Sequence, residues 1–354
     1  MPARDPGDVL DGDPGDGPAR DRAAVVPVTD PEQSAGSTAA ADSDAVSLTT
    51  HDVSGTAGTL CVSEWRSGDA DEGVLFVHGA TYPGRAIFGP GLDETPGWGP
   101  WTAARGVAAL ALDVRGYGGS HPVEADASEP PVRTAAAAAD LAAAVSWARD
   151  RVDRLHLVGT SWGTLICGTY LASRDDPPVA SVTLHAPVYD LSPAVRERLA
   201  AGGPFRTATR DGARERWAGQ VPTDADTDAW LAEFDAFWTT YVSNSRFVIG
   251  ADEDNHGPDS ATVRVPNGCL ADILATADGD SPYDPADVSV PALVVRGTAD
   301  HTSVRSDALG VYDRLGGAPG ENAYAEVDGG THFVHLEPPR ERLFDLVRAF
   351  QRGQ

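Results

Sequence analysis

Three side chains far apart in the chain are of the types that nucleophilic catalysis needs. Ser161 stands in Gly159-Thr160-Ser161-Trp162-Gly163, directly after the apolar run 154–159 and ahead of a helical pattern. Glycines on both sides suit a turn so tight that other side chains would collide with backbone. The serine is then held in a strained conformation at a helix N-terminus, where developing negative charge is favoured. A serine hydroxyl needs a base, and the base needs a carboxylate to orient it. Asp300 comes just after the apolar run 291–296, and His332 lies in Gly329-Gly330-Thr331-His332-Phe333, after the run 323–327. Two residues compete for these roles. Asp190 also follows a strand-like run, and His335 lies three residues beyond His332, where it is expected to face surface carboxylates. Asp300 and His332 are favoured. An earlier run ends in His78-Gly79-Ala80-Thr81. Here the N–H of Ala80, with that of Trp162, is placed to cradle an oxyanion. His78 is expected to be satisfied by loop backbone.

These residues need elements to position them. Apolar β-type runs recur at 46–53, 60–65, 73–78, 107–113, 154–159, 179–185, 291–296 and 323–327, with helical patterns at 133–149, 161–173 and 338–352. Buried strands alternating with helices imply an α/β fold with a doubly wound, mainly parallel sheet, its first two strands forming an antiparallel edge. Residues 46–187 and 289–354 are assigned to this core. The interval 188–288 shows no clear strand. Within it Trp230, Leu231, Phe234, Phe237, Trp238 and Tyr241 fall on one helical face, which predicts an inserted helical cap. Tyr82, Trp230, Phe234 and Trp238 are the candidate substrate-pocket residues, although the aromatic face equally suits the cap's own packing. Residues 1–45, rich in Asp, Pro, Gly and Ala, predict a disordered acidic tail.

The chain resembles the α/β-hydrolase family over roughly residues 46–354. The His78-Gly79 loop, the glycine-rich turn Asp113-Val114-Arg115-Gly116-Tyr117-Gly118-Gly119-Ser120, the serine turn, Gly297-Thr298-Ala299-Asp300 and Gly330-Thr331-His332 occur in the family's order. The resemblance implies a serine-nucleophile member with a cap. Its catalytic residues would be Ser161, Asp300 and His332, and it would cleave a small to medium carboxylic ester through an acyl-enzyme. A serine nucleophile disfavours dehalogenase and epoxide hydrolase chemistry. An aminopeptidase resembling prolyl iminopeptidases stays open, with Asp252, Glu253 and Asp254 as amine-binding candidates. Perhydrolysis, C–C bond hydrolysis and a binding protein without turnover stay open as well.

Composition narrows the partners. Against 27 basic residues, every one arginine, stand 53 acidic ones, a formal charge of −26. Nucleic acid and anionic membranes are therefore poor partners; the resemblance implies a small-molecule ester or amide instead. No run reaches the roughly 20 apolar residues of a membrane span, and the first residues lack a secretory pattern. Cys61, Cys167 and Cys269 are widely spaced, which argues against disulfides and a zinc cluster. The other histidines show no metal-ligand spacing, so no metal or cofactor is expected. A cytoplasmic protein is predicted. The carboxylate excess resembles that of proteins from organisms that accumulate salt, because molar salt shortens the Debye length to about 3 Å and quenches self-repulsion. Structure and activity should therefore fall on dialysis below a few hundred millimolar salt and recover toward molar KCl. An unchanged melting temperature and activity in dilute buffer would contradict this.

Overall fold

The computed structural model describes residues 45–91, 96–191, 193–199, 202–249, 258–317 and 320–354. The predicted acidic tail, apart from Ala45, and the acidic run at 252–254 lie outside the described residues.

The apolar runs form strands β1 (Ser47–Ser54), β2 (Thr59–Arg66), β3 (Glu72–Val77), β4 (Ala108–Asp113), β5 (Arg154–Thr160) and β6 (Ser181–His185). After them come β7 (Phe205–Thr209), β8 (Val248–Ile249), β9 (Thr262–Pro266), β10 (Ala292–Gly297) and β11 (Ala323–Val327). Eight strands make one sheet in the order β1-β2-β4-β3-β5-β6-β10-β11. β1 and β2 pair antiparallel, as do β2 and β4; the remaining pairs are parallel. β3, β4 and β5 are buried on both faces, which explains their unbroken apolar runs. The chain order reverses at β3. The connections leaving β3 and β5 diverge there, and a crevice opens beyond their C-terminal ends.

Helices clamp the sheet on both faces. Helix Thr134–Arg149 is alanine-rich, which favours helix and permits close approach. Its buried Asp140 receives Arg115 at 2.5 Å. Arg115 thus pairs outside its own glycine-rich turn, while Asp113 accepts the backbone N–H of Gly84 at 2.8 Å and of Gly119 at 3.0 Å. Helix Arg340–Arg352 buries Leu343, Phe344, Val347 and Gln351, one stripe at helical spacing.

The inserted interval departs from the helical expectation. Besides helices it holds a three-stranded antiparallel sheet in the order β7-β9-β8. The predicted aromatic helix is also broken, into Thr227–Trp230 and Phe234–Ser243. At the break Glu233 turns inward and meets the buried Arg340 of the core.

The aromatic face is a packing core. Phe234, Phe237, Trp238 and Tyr241 are buried, with Trp217 edge-on to Phe234 and Phe237 at 5.8 and 5.7 Å. Tyr82 of the core inserts edge-on against Phe237 and Tyr241 at 4.8 and 5.2 Å. Beneath this cluster, Trp217 Nε1 donates to Glu337 Oε1 at 3.1 Å. The same carboxylate accepts the Thr331 hydroxyl and, at 3.0 Å, the Thr331 N–H.

Phe234→Ala and Trp238→Ala should each lower the unfolding free energy by roughly 3–5 kcal/mol while leaving the order of substrate preference intact. A changed preference at unchanged stability would assign them to the substrate. Glu337 generates a pH signature. Burial pushes its carboxyl from 4.5 up to about 7, against hydrogen bonds from Thr331 and Trp217 that lower it. The folded chain thus binds this proton more tightly than the unfolded one. That stabilisation is complete below pH 4.5 and lost as pH rises through about 7. Between these values, Glu337→Gln should gain on the parent by up to about 1.4 kcal/mol per pH unit in urea unfolding. Parallel pH profiles would contradict it.

Candidate active site

Ser161 occupies the turn between β5 and helix Trp162–Ala172 with φ 56° and ψ −119°. No other backbone could make this turn cheaply. A Cβ on Gly163 would stand 2.3 Å from the Val77 carbonyl oxygen, and one on Gly159 would stand 2.5 Å from that of Gly163. The glycines let the serine turn press against the end of β3. Ser161 N–H is tied to the His185 carbonyl at 2.9 Å, which anchors the turn to β6.

The loop after β3 is held from both sides. His78 is fully buried; its Nε2 accepts the Val114 N–H at 3.2 Å, so its Nδ1 carries the proton and donates to the Gly79 carbonyl at 2.7 Å. Burial lowers the His78 pKa to about 4, keeping the ring neutral in this tautomer. Fixing the Gly79 oxygen fixes the opposite end of the same peptide, the Ala80 N–H. The Ala80 carbonyl in turn accepts the Tyr117 hydroxyl at 2.8 Å and the Arg206 guanidinium from β7. A Cβ on Gly79 would come within 3.1 Å of the Ser161 Cβ, so this loop lies directly against the serine.

Asp300 and His332 meet beyond β10 and β11. His332 Nδ1 lies 2.9 Å from Asp300 Oδ2, and both residues are buried. The other carboxylate oxygen accepts the N–H groups of Thr302 and Ser303 at 2.7 and 2.9 Å. Burial alone would raise the Asp300 pKa. The charge and hydrogen bond of His332, with these two N–H groups, hold it below the ordinary carboxylate value. The aspartate is thus an anion that accepts from Nδ1–H and leaves Nε2 as the basic nitrogen. Asp190 is exposed, and its backbone N–H is tied to the Asp307 carboxylate. The structure brings Asp300, not Asp190, to His332.

Ser161, His332, Ala80 and Tyr82 all line one small cavity of about 40 Å³. Ser161 and Ala80 also line a larger one of about 460 Å³, whose apolar wall comes from Val188, Val195, Leu199, Leu270 and Ile273. Arg206, Arg216 and Gln220 supply polar groups to that wall. Of the candidate pocket residues only Tyr82 lies here. Trp230, Phe234 and Trp238 line neither cavity; Phe234 and Trp238 are buried in the aromatic packing cluster, while Trp230 is only half-buried.

His335 departs from expectation as well. The short 3₁₀ turn Val334–Leu336 carries it inward, 5.5 Å from His185 and against the small cavity. Three contributors escaped the sequence reading. Glu337 holds Thr331 beside His332, Gln220 accepts the His332 N–H at 3.4 Å, and Arg206 holds the Ala80 carbonyl. Glu337 alone left a signal, as a lone carboxylate after the apolar stretch 333–336.

A model described as the alpha/beta hydrolase family matches residues 74–346. No curated protein matches the chain. Among solved structures, a thermophilic esterase from Thermogutta terrifontis superposes with a TM-score of 0.56 at 17% identity, over 87% of this chain and 98% of its own. An E-2-(acetamidomethylene)succinate hydrolase gives 0.57 at 19% identity, over 86% and 99%. A thioesterase domain from the curacin biosynthetic pathway gives 0.56 at 15% identity, over 85% and 99%. At these identities the likeness speaks for the fold. The family match spans most of the chain and supports a hydrolase, and with it the chain belongs to the alpha/beta hydrolase family.

Proposed function

We propose that the chain is a serine hydrolase that cleaves a carboxylic ester of small to medium size through an acyl-enzyme. The observation that carries this reading is the 2.9 Å contact of Asp300 with His332, in a ring that shares a cavity with Ser161. In this reading Ser161 Oγ attacks the ester carbonyl while His332 Nε2 takes its proton. The N–H groups of Ala80 and Trp162 receive the oxyanion. His332 then returns the proton to the leaving alcohol. Water, deprotonated by the same nitrogen, attacks the acyl-enzyme, releasing the acid and restoring the serine. Asp300 holds the imidazole in its tautomer and offsets the charge it acquires.

The cavity also bears on the amide alternative. An aminopeptidase must greet a protonated amine, yet two of the side chains nearest the serine's cavity are Arg206 and Arg216. That favours esters over amino-acyl arylamides.

In molar KCl, a chromogenic ester panel run beside amino-acyl arylamides should show turnover of esters. Ser161→Ala should abolish it with the fold intact, and His332→Ala should match that loss within about an order of magnitude, because the triad acts as a unit. Asp300→Asn should lower kcat by about 10⁴, and Asp190→Asn should leave it within a few-fold of the parent. Collapse of kcat in Asp190→Asn alone, or losses in His335→Ala equal to those in His332→Ala, would overturn these assignments.

A further inference from the structure

Arg206 lines the cavity of Ser161, and its described partners are all uncharged. Its guanidinium donates to the carbonyls of Pro266 and Ala80, to the Asn267 side-chain oxygen, to the Thr81 hydroxyl and to the Cys269 sulfur. All of these acceptors are neutral. Among the described residues no carboxylate forms an ion pair with it, in a chain that carries 53 acidic residues. Other arginines drawn inward behave differently. Arg115 meets Asp140 at 2.5 Å, Arg296 meets Glu326 at 2.8 Å, and Arg340 and Arg348 meet Glu233 and Glu72.

A charge withdrawn from water without a counter-charge is costly, and buried charges are ordinarily paired. Arg206 is instead fixed by neutral groups and left with its charge at the wall of the 460 Å³ cavity. The fields of Arg216 and Arg206 both lower the pKa of Tyr82 against its burial, so positive potential extends to the wall shared with Ser161. Glu215 and Arg216 also line the larger cavity, both exposed to solvent, which leaves Arg206 as its half-buried charge. The same cavity is also lined by aliphatic side chains, Val188, Val195, Leu199, Leu270 and Ile273. A chain of methylenes ending in an anion matches both kinds of lining.

We propose that the substrate is a monoester of a short dicarboxylic acid, its free carboxylate lying against Arg206 while Ser161 attacks the ester carbonyl. This rests on the serine-hydrolase reading and adds the acyl group's chemistry to it. The assignment also couples recognition to chemistry, because the guanidinium that meets the anion is the one that holds the Ala80 carbonyl beside the oxyanion site.

The test compares the p-nitrophenyl monoester of glutaric acid with its methyl-capped, neutral counterpart in molar KCl. The parent should prefer the acidic ester by about tenfold or more in kcat/KM, the worth of one charge-assisted hydrogen bond. Glutarate should inhibit hydrolysis of the neutral ester at concentrations where glutaramide does not. Arg206→Gln should slow both esters, since it loosens Ala80, but should bring their ratio close to one. Arg206→Lys should restore part of the ratio. A merely structural Arg206 would lower both rates and leave the ratio unchanged. Equal kcat/KM for the two esters in the parent overturns the proposal whether or not the variants fold. So does a ratio lost in Arg216→Gln and kept in Arg206→Gln. Hydrolysis of neither ester above the Ser161→Ala background would instead sink the hydrolase reading itself.

Discussion

The backbone of Ser161 is the constraint on which the rest of this site depends. A non-glycine residue at φ 56° costs of order 1–3 kcal/mol, and it persists only where its surroundings over-determine it. Here β5 is paired on both sides, by β3 and β6, and its helix is buried along nearly its whole length. Gly163 removes the atom that would hold the turn away from β3, Gly159 the one that would strike the Gly163 carbonyl, and the His185 carbonyl ties down the serine N–H. The sheet thus presents the hydroxyl at the crevice where the chain order reverses. The neighbouring loops are then held against it by buried polar groups: His78 under Gly79, Asp113 under Gly84 and Gly119, and Glu337 under Thr331.

Charge is distributed in two ways that serve different ends. The chain as a whole carries a formal charge of −26, an excess whose self-repulsion screening ions would weaken. Inside, carboxylates are spent singly on backbone N–H groups and arginines, as Asp113, Asp140, Asp300, Asp307 and Glu337 illustrate. Burial raises the pKa of Asp113 to about 6 and of Asp307 to about 7, while lowering His156 to about 4 and His185 to about 3. The first pair opposes stability as pH rises through those values; the histidines oppose it as pH falls below their ordinary 6.5. The folded state is thereby confined on both sides of the pH scale.

Much of this was legible before any coordinates. The central strands of the main sheet were readable from apolar runs such as those of β3, β4 and β10, and Asp300 and His332 stand just past β10 and β11. What escaped depends on contacts between distant residues. β7, Phe-Arg-Thr-Ala-Thr, buries no residue fully, and β9, Thr-Val-Arg-Val-Pro, alternates cleanly with Val263 and Val265 inward but is only five residues long, too short to stand out in the inserted interval. The six aromatic and aliphatic residues from Trp230 to Tyr241 obey one helical period. The break between them follows from Glu233 pairing with Arg340, a contact 107 residues distant that no local pattern encodes. His335 was unreadable for a similar reason, since a 3₁₀ turn rather than an α-helix follows His332. Arg206 resembles any surface arginine in sequence, and only the folded cap sets it against Ala80.

On the proposed mechanism, one serine activated at this turn is the nucleophile. Fluorophosphonate labelling in molar KCl, followed by intact-mass measurement and peptide mapping, tests it most directly. The account predicts a single adduct, carried on Ser161, absent from Ser161→Ala and formed far more slowly in His332→Ala. An unmodified parent chain, or an adduct that persists in Ser161→Ala, would contradict it.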